Sequence, residues 1–83
     1  MRYEVMTKLS PQEATQQALQ HFGPKGVGLE IVDQNAECLV FQGGGGHVAV
    51  TACASDTDKA KTRVEIETRE WDYAVRQFMA RVN

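Results

Sequence analysis

The chain has 83 residues, of which 42% are hydrophobic, and a formal net charge of −2, which predicts one small domain over residues 1–83. Its Lys and Arg residues are scattered, so there is no basic stripe of the kind that a nucleic acid or an anionic membrane binds. The apolar runs are too short for a membrane-spanning helix and the N-terminus lacks a signal peptide's apolar region, so we expect a cytoplasmic protein.

The first part of the chain predicts a strand followed by an amphipathic helix. Residues 2–7 alternate between polar and apolar side chains, as a half-buried strand requires. Ser10 can cap the helix that follows, Pro11 suits its first position, and Glu13 can complete a capping box. Gly23 predicts the end of this helix, in the left-handed conformation that glycine tolerates.

Four further runs alternate with a period of two residues and predict four strands. They lie at residues 27–32, 38–41, 47–53 and 63–67. Polar segments at 33–36 and 55–61 predict a turn and a loop. The four glycines at positions 43–46 predict a flexible hairpin. They could also offer N–H groups to an anion, but they lack the Lys and the following helix of a phosphate-binding loop.

The chain closes with a second amphipathic helix, predicted to begin near residue 68 or 69. Its apolar side recurs at helical spacing and consists of Trp71, Val75, Phe78, Met79 and Val82. Together the elements predict an α+β domain, ordered β-α-β-β-β-β-α, with an antiparallel sheet of about five strands. Both helices should pack on one face of the sheet, and the first strand should lie beside the last.

The alternation divides the predicted sheet into two unlike faces. One face is apolar and carries Leu29, Ile31, Leu39, Phe41, Val48, Val50, Val64 and Ile66. The other face is mixed and carries Glu30, Val32, Cys38, Val40, Ala49, Thr51, Arg63 and Glu65. We interpret the apolar centre of the mixed face as a candidate contact patch formed by Val32, Cys38 and Val40.

The residues that usually carry chemistry do not form a recognisable set. His21 and His47 have no third partner, although Glu67 is a possible cross-strand neighbour of His47. Cys38 and Cys53 lack the CxxC spacing of zinc and redox sites, and could be neighbours on the mixed face. We therefore predict no catalytic residue, no cofactor and no metal site, and we favour a protein that is not an enzyme.

Three stretches carry a resemblance to a known fold. They are residues 3–5 leading into residues 10–13, the strand at residues 62–67, and the final helix with its apolar side. Their order resembles a shortened helix-grip fold, as in the lipid-transfer and polyketide-cyclase-like superfamily. That superfamily has further strands and a second short helix that this chain lacks. The same order also suits a TATA-binding-protein-like sheet with two helices on one side.

Two functions follow from these patterns. The first is a binding module for a small apolar or amphipathic ligand between the C-terminal helix and the sheet, lined by Phe41, Val50, Trp71 and Val75. The second is a homodimeric interaction domain that uses the outer sheet face at Val32, Cys38 and Val40. A cavity of about 300 Å³ or more would favour the first function, and a filled core with a self-complementary sheet face the second.

Overall fold

The computed structural model describes residues 1–35, 37–55, 58 and 60–83. The elements are β1 (Arg2–Thr7), α1 (Pro11–Phe22), β2 (Glu30–Gln34), β3 (Cys38–Gly43), β4 (Gly46–Ala54), β5 (Thr62–Arg69) and α2 (Asp72–Val82). The five strands form one antiparallel sheet in the order β1-β5-β4-β3-β2. The predicted α+β class, the order of the elements and the place of the first strand beside the last are therefore confirmed. The predicted turn at 33–36 and loop at 55–61 lie partly outside the described residues, at positions 36, 56, 57 and 59.

The core lies between the two helices and one face of the sheet, which we call the inner face. Three aromatic rings join the layers: Phe22 of α1 lies 5.5 Å from Phe41 of β3 and 5.2 Å from Phe78 of α2, measured between ring centroids. All three side chains are fully buried. Every residue predicted on the apolar face is buried, apart from Ile31, which packs against the core while partly exposed.

Helix α1 begins at the predicted capping box. The Ser10 hydroxyl accepts a hydrogen bond of 3.1 Å from the Glu13 amide, and the Glu13 carboxylate accepts one of 3.1 Å from the Ser10 amide. The bond from the Ser10 amide, together with the Ser10 hydroxyl beside the carboxylate, holds the pKa of the Glu13 carboxyl below its usual value. At the other end Gly23 has a φ of −70°, so the predicted left-handed cap is wrong. Glycine suits this position for another reason: a Cβ would collide with the carbonyl oxygen of Leu19.

The glycine hairpin is tight, where the sequence predicted a flexible one. Gly44 and Gly45 are the two central residues of the turn, with φ angles of +58° and +80°, and positive φ at both positions is what a type I′ turn requires. The indole N–H of Trp71 donates a 2.8 Å hydrogen bond to the Gly43 carbonyl. A Cβ on Gly44 would lie 2.9 Å from the Trp71 ring, and one on Gly46 would collide with the Arg69 carbonyl. Close packing therefore explains most of the glycine run.

The last strand is longer than predicted, and the last helix begins later. β5 continues to Arg69, and α2 begins at Asp72 rather than near residue 68 or 69. The Thr68 amide donates a 3.0 Å hydrogen bond to the Met1 carbonyl, and its hydroxyl donates one of 2.8 Å to the His47 carbonyl. These bonds to the strands on either side keep Thr68 in the sheet. Glu70 then breaks the strand with a φ of +76°.

Shortening either of two core rings should unfold the domain more readily. We expect Phe41→Ala and Phe78→Ala each to lower the free energy of unfolding by about 3–5 kcal/mol, because each change removes a fully buried aromatic ring. Chemical denaturation of the two variants and the wild type measures this difference. A loss below about 1 kcal/mol, the scale of an ordinary substitution, would contradict the assignment of that ring to the core.

Removing the cap of α1 should loosen the start of that helix. Ser10→Ala removes the hydroxyl that accepts from the Glu13 amide, so we expect a loss of stability of about 0.5–2 kcal/mol. Hydrogen exchange should rise first at the amides of Gln12 and Glu13. Ser10→Thr, which keeps a capping hydroxyl, is the matched control. Unchanged protection at both amides in Ser10→Ala would show that the cap contributes nothing to the helix.

The outer sheet face as a candidate interaction surface

The face of the sheet opposite the core is covered by neither helix, and we call it the outer face. Its middle is formed by β4, where His47 and three small side chains alternate with the buried core residues of the same strand. The three small residues are Ala49, Thr51 and Cys53. All four are only half-buried. Because small side chains leave the backbone accessible, another molecule can approach this part of the sheet closely.

The three residues of the predicted interface lie at one side of the outer face, and together we call them the outer patch (Val32, Cys38 and Val40). Cys38 and Val40 are two residues apart on β3 and half-buried. Val32 is the extra residue of a β-bulge in β2, between the pairs Ile31–Phe41 and Asp33–Val40. Its exposed fraction is 48%, which is high for a large apolar side chain. The strand itself is Glu30–Gln34, later than the predicted residues 27–32.

Charged side chains lie on the other side of the outer face. Glu67 lies between two basic groups, with Arg2 Nη2 3.6 Å and His47 Nε2 3.3 Å from its carboxylate oxygens. The predicted proximity of His47 to Glu67 is thus present, although the residues directly opposite Glu67 are Ala49 and Arg2. Arg2 and Glu67 are exposed, so these ion pairs add little stability. They do give this side of the face both signs of charge.

A further ion pair lies nearer the start of β5, the strand that carries Glu67. Arg63 Nε lies 3.2 Å from Glu65 Oε1. This nitrogen is shielded from solvent, and its contact with Glu65 lacks hydrogen-bond geometry. The interaction is therefore mainly electrostatic. Its place on β5 extends the charged part of the outer face toward the loop that precedes the strand.

A shallow depression of about 380 Å³ opens between the small residues of β4 and the charged ones. It is lined by Arg2, Tyr3, Glu4, Ala49, Thr51, Glu65, Ile66 and Glu67. The Tyr3 phenol donates a 2.5 Å hydrogen bond to Asp72 at the start of α2. That bond to a carboxylate raises the pKa of the Tyr3 phenol above its usual value. All the lining residues except Tyr3 and Ile66 belong to the outer face, so the depression lies on that face. It adjoins the outer patch, because Ala49 lies directly opposite Val40.

The residues predicted to line a ligand site under α2 lie in the core. Phe41, Val50 and Val75 have no exposed surface. Trp71 is half-buried, packs against the same core, and uses its indole N–H to hold the glycine hairpin. A ligand between α2 and the sheet would have to displace these side chains.

The remaining chemically active side chains serve structural contacts. Cys38 lies opposite Thr51, whose hydroxyl lies 3.8 Å from the Cys38 sulfur, so Cys53 is a diagonal neighbour and not a direct one. His21 Nε2 lies 2.9 Å from the Ala74 carbonyl oxygen of α2, and its ring packs edge-on against Phe22. This link between the helices was not predicted from the sequence, although a spacing of seven residues from Ala14 and three from Ala18 places His21 on the buried side of α1. Within the described residues, no three His, Cys, Asp or Glu side chains are grouped as a metal site would require.

No protein-family model, curated protein sequence or solved structure matches this chain. Over the described residues, neither helix has the length and apolar character needed to cross a membrane.

Proposed function

We propose that this chain is a small interaction domain that forms a homodimer through the outer face of its sheet. The observation that carries this proposal is the contrast between the two faces. The inner face is closed by both helices over a filled core, while the outer face keeps an uncovered apolar patch. An apolar patch with a polar rim is the usual composition of a small protein interface.

The residues around the outer patch suit contact with another sheet. Ala49 of β4 lies directly opposite Val40, so the patch continues onto a small side chain at the middle of the sheet. Beyond it, Arg2, His47 and Glu67 supply charges of both signs. A surface with an apolar centre and mixed charges can face a copy of itself, because neither sign dominates the contact.

In a two-fold symmetric dimer, a substitution at Val40 is the most direct test of the interface. In a symmetric dimer the same patch serves both subunits, so each change acts twice. Val40 lies between Asp33 on β2 and Ala49 on β4. It is therefore close to the middle of the apolar area and beside a carboxylate.

The ligand-binding alternative has weaker support. Its predicted lining residues are part of the packed core, and pockets for small molecules are usually largely formed before the ligand arrives. For an enzymatic role, the Tyr3 phenol and the Asp72 carboxylate lie within hydrogen-bonding reach, but their bond joins β1 to α2 and raises the pKa of the phenol, which disfavours a nucleophilic phenolate. The interaction domain requires no rearrangement of the fold.

Val40→Glu should abolish association through the outer face without unfolding the domain, and so leave a monomer at micromolar concentration. The change places an unpaired carboxylate in the interface, beside Asp33, on both subunits. Sedimentation velocity over a range of concentrations measures the result, and Val40→Thr, which keeps the branched shape without a charge, is the control. A wild type that stays monomeric at high concentration, or a Val40→Glu variant that assembles as the wild type does, would refute the proposed face.

The rate at which the Cys38 thiol reacts gives a second, independent test of association through the outer patch. Cys38 belongs to the outer patch and is half-buried, so association through the patch should slow its reaction with a thiol reagent. Cys53→Ser leaves Cys38 as the single thiol of the chain. We expect the rate to fall as the protein concentration rises, and to be independent of concentration in Val40→Glu.

A further inference from the structure

β1 lies at one lateral edge of the sheet, and the side of the strand that does not face β5 is free to pair with another strand. It neighbours only β5 in the sheet. All six of its residues are described, and the pairing with β5 runs from Arg2 to Thr7 without a register shift. The opposite edge, β2, is interrupted by its bulge, a device that discourages pairing at sheet edges. β1 has neither a bulge nor a proline.

The register shows which backbone groups of β1 are free. Met1 and Thr68 exchange both backbone hydrogen bonds, of 2.9 and 3.0 Å. In an antiparallel pair such exchanging positions alternate, so Tyr3, Val5 and Thr7 direct their N–H and C=O groups toward β5. The groups of Arg2, Glu4 and Met6 therefore point away from the sheet, and none of them bonds to another backbone group in the described part of the chain.

We propose that the free edge of β1 pairs antiparallel with the same edge of a second copy, with Arg2 opposite Glu4 of the second copy. The two five-stranded sheets then join into one continuous sheet across a two-fold axis at Tyr3. The pairing uses backbone bonds of Arg2 and Glu4 from both copies. It is a form of strand addition in which the added strand is another β1.

Charge selects this register among the symmetric alternatives. An axis at Tyr3 places Arg2 opposite Glu4 twice, and opposite charges across a strand pair are stabilising. An axis at Glu4 places two carboxylates directly opposite each other, and an axis at Arg2 places two guanidinium groups together. An axis at Val5 places Arg2 opposite Lys8. An axis at Met6 would pair Glu4 with Lys8, but Lys8 lies beyond the end of β1. Among the registers whose charged pairs lie within β1, only the one at Tyr3 pairs unlike charges.

The inner side of the strand supports the same register. An axis at Tyr3 makes the two Tyr3 residues a directly opposite pair that exchanges no backbone bonds, the kind in which side chains approach most closely. Aromatic pairs at such positions are stabilising. The Tyr3 hydroxyl is already fixed by Asp72, so its ring loses little freedom on pairing.

This surface is separate from the outer patch. β1 lies at one edge of the sheet, whereas the outer patch lies on β2 and β3 at the other side. The edge pairing therefore goes beyond the proposed homodimer through the outer face, and one molecule can use both surfaces at once. An experiment in the Val40→Glu background isolates the edge.

Charge reversal tests the register. In Val40→Glu, we expect a dimer that forms with rising concentration up to about 1 mM, in the range of weak association. Arg2→Glu and Glu4→Arg should each weaken it about tenfold, since two attractive pairs become repulsive. The double variant Arg2→Glu/Glu4→Arg should restore it, because the pairs are then reversed in sign but still unlike. Sedimentation velocity measures all four proteins, and Lys25→Glu controls for the change in net charge.

Hydrogen exchange identifies the residues that pair. In the dimer of the Val40→Glu variant, the amides of Arg2 and Glu4 should become protected while that of Met6 stays unprotected. A background variant that remains monomeric at about 1 mM, a double variant that fails to re-associate, or protection of Met6 together with Glu4 would each overturn the edge pairing. A wild type that assembles no further than Val40→Glu, with the edge results intact, would overturn only the proposed contact through the outer face.

Discussion

Two helices of 12 and 11 residues are enough to cover one face of this five-stranded sheet and not both. That limit determines which side chains of the sheet lie on the inner face and which on the outer face. Apart from Val40, the large apolar side chains of β3, β4 and β5 point to the covered face, where Phe22, Phe41 and Phe78 join the layers. What remains for the outer face is a set of small and charged side chains with one apolar patch. Both the buried core and the exposed candidate interface therefore follow from having only two short helices to cover the sheet.

The end of the sheet near Trp71 illustrates how closely the backbone is packed in so small a domain. The indole N–H bonds to Gly43, and the ring lies against Gly44. The same hairpin brings Gly46 against the Arg69 carbonyl at the end of β5. The hairpin, the last strand and the start of α2 therefore support one another, and α2 begins from a fixed point over the sheet.

Much of the fold was readable from the sequence, because alternation of side chains and the capping box depend on local spacing. The assignment of Leu39 and Phe41 to the core and of Cys38 and Val40 to the outer face needed only a period of two. Features set by contact between distant residues were not readable. The bulge at Val32 depends on the pairing of β2 with β3, and the late start of α2 depends on bonds from Thr68 to two other strands.

The candidate site shows the same division. The outer patch was predictable from the alternation of side chains along the strands. The free edge of β1 was not, because only the hydrogen bonds to β5 show which backbone groups of β1 point away from the sheet. The sequence could not distinguish a ligand pocket from a packed core at Phe41, Val50 and Val75, because apolar side chains are expected in both. Apolar spacing indicates which side chains meet, and only packing shows whether space remains between them.

The connection of β1 to β5 also bears on how the domain folds. β2, β3, β4 and β5 are neighbours both in sequence and in the sheet, and their contacts are short in chain distance. β1 pairs with a strand from the other end of the chain, where Tyr3 lies opposite Ile66. Contacts between distant residues form late, because closing a long loop costs entropy before the contact repays it. On this ground we expect the meander of β2 to β5 to form first and the docking of β1 to complete the native state.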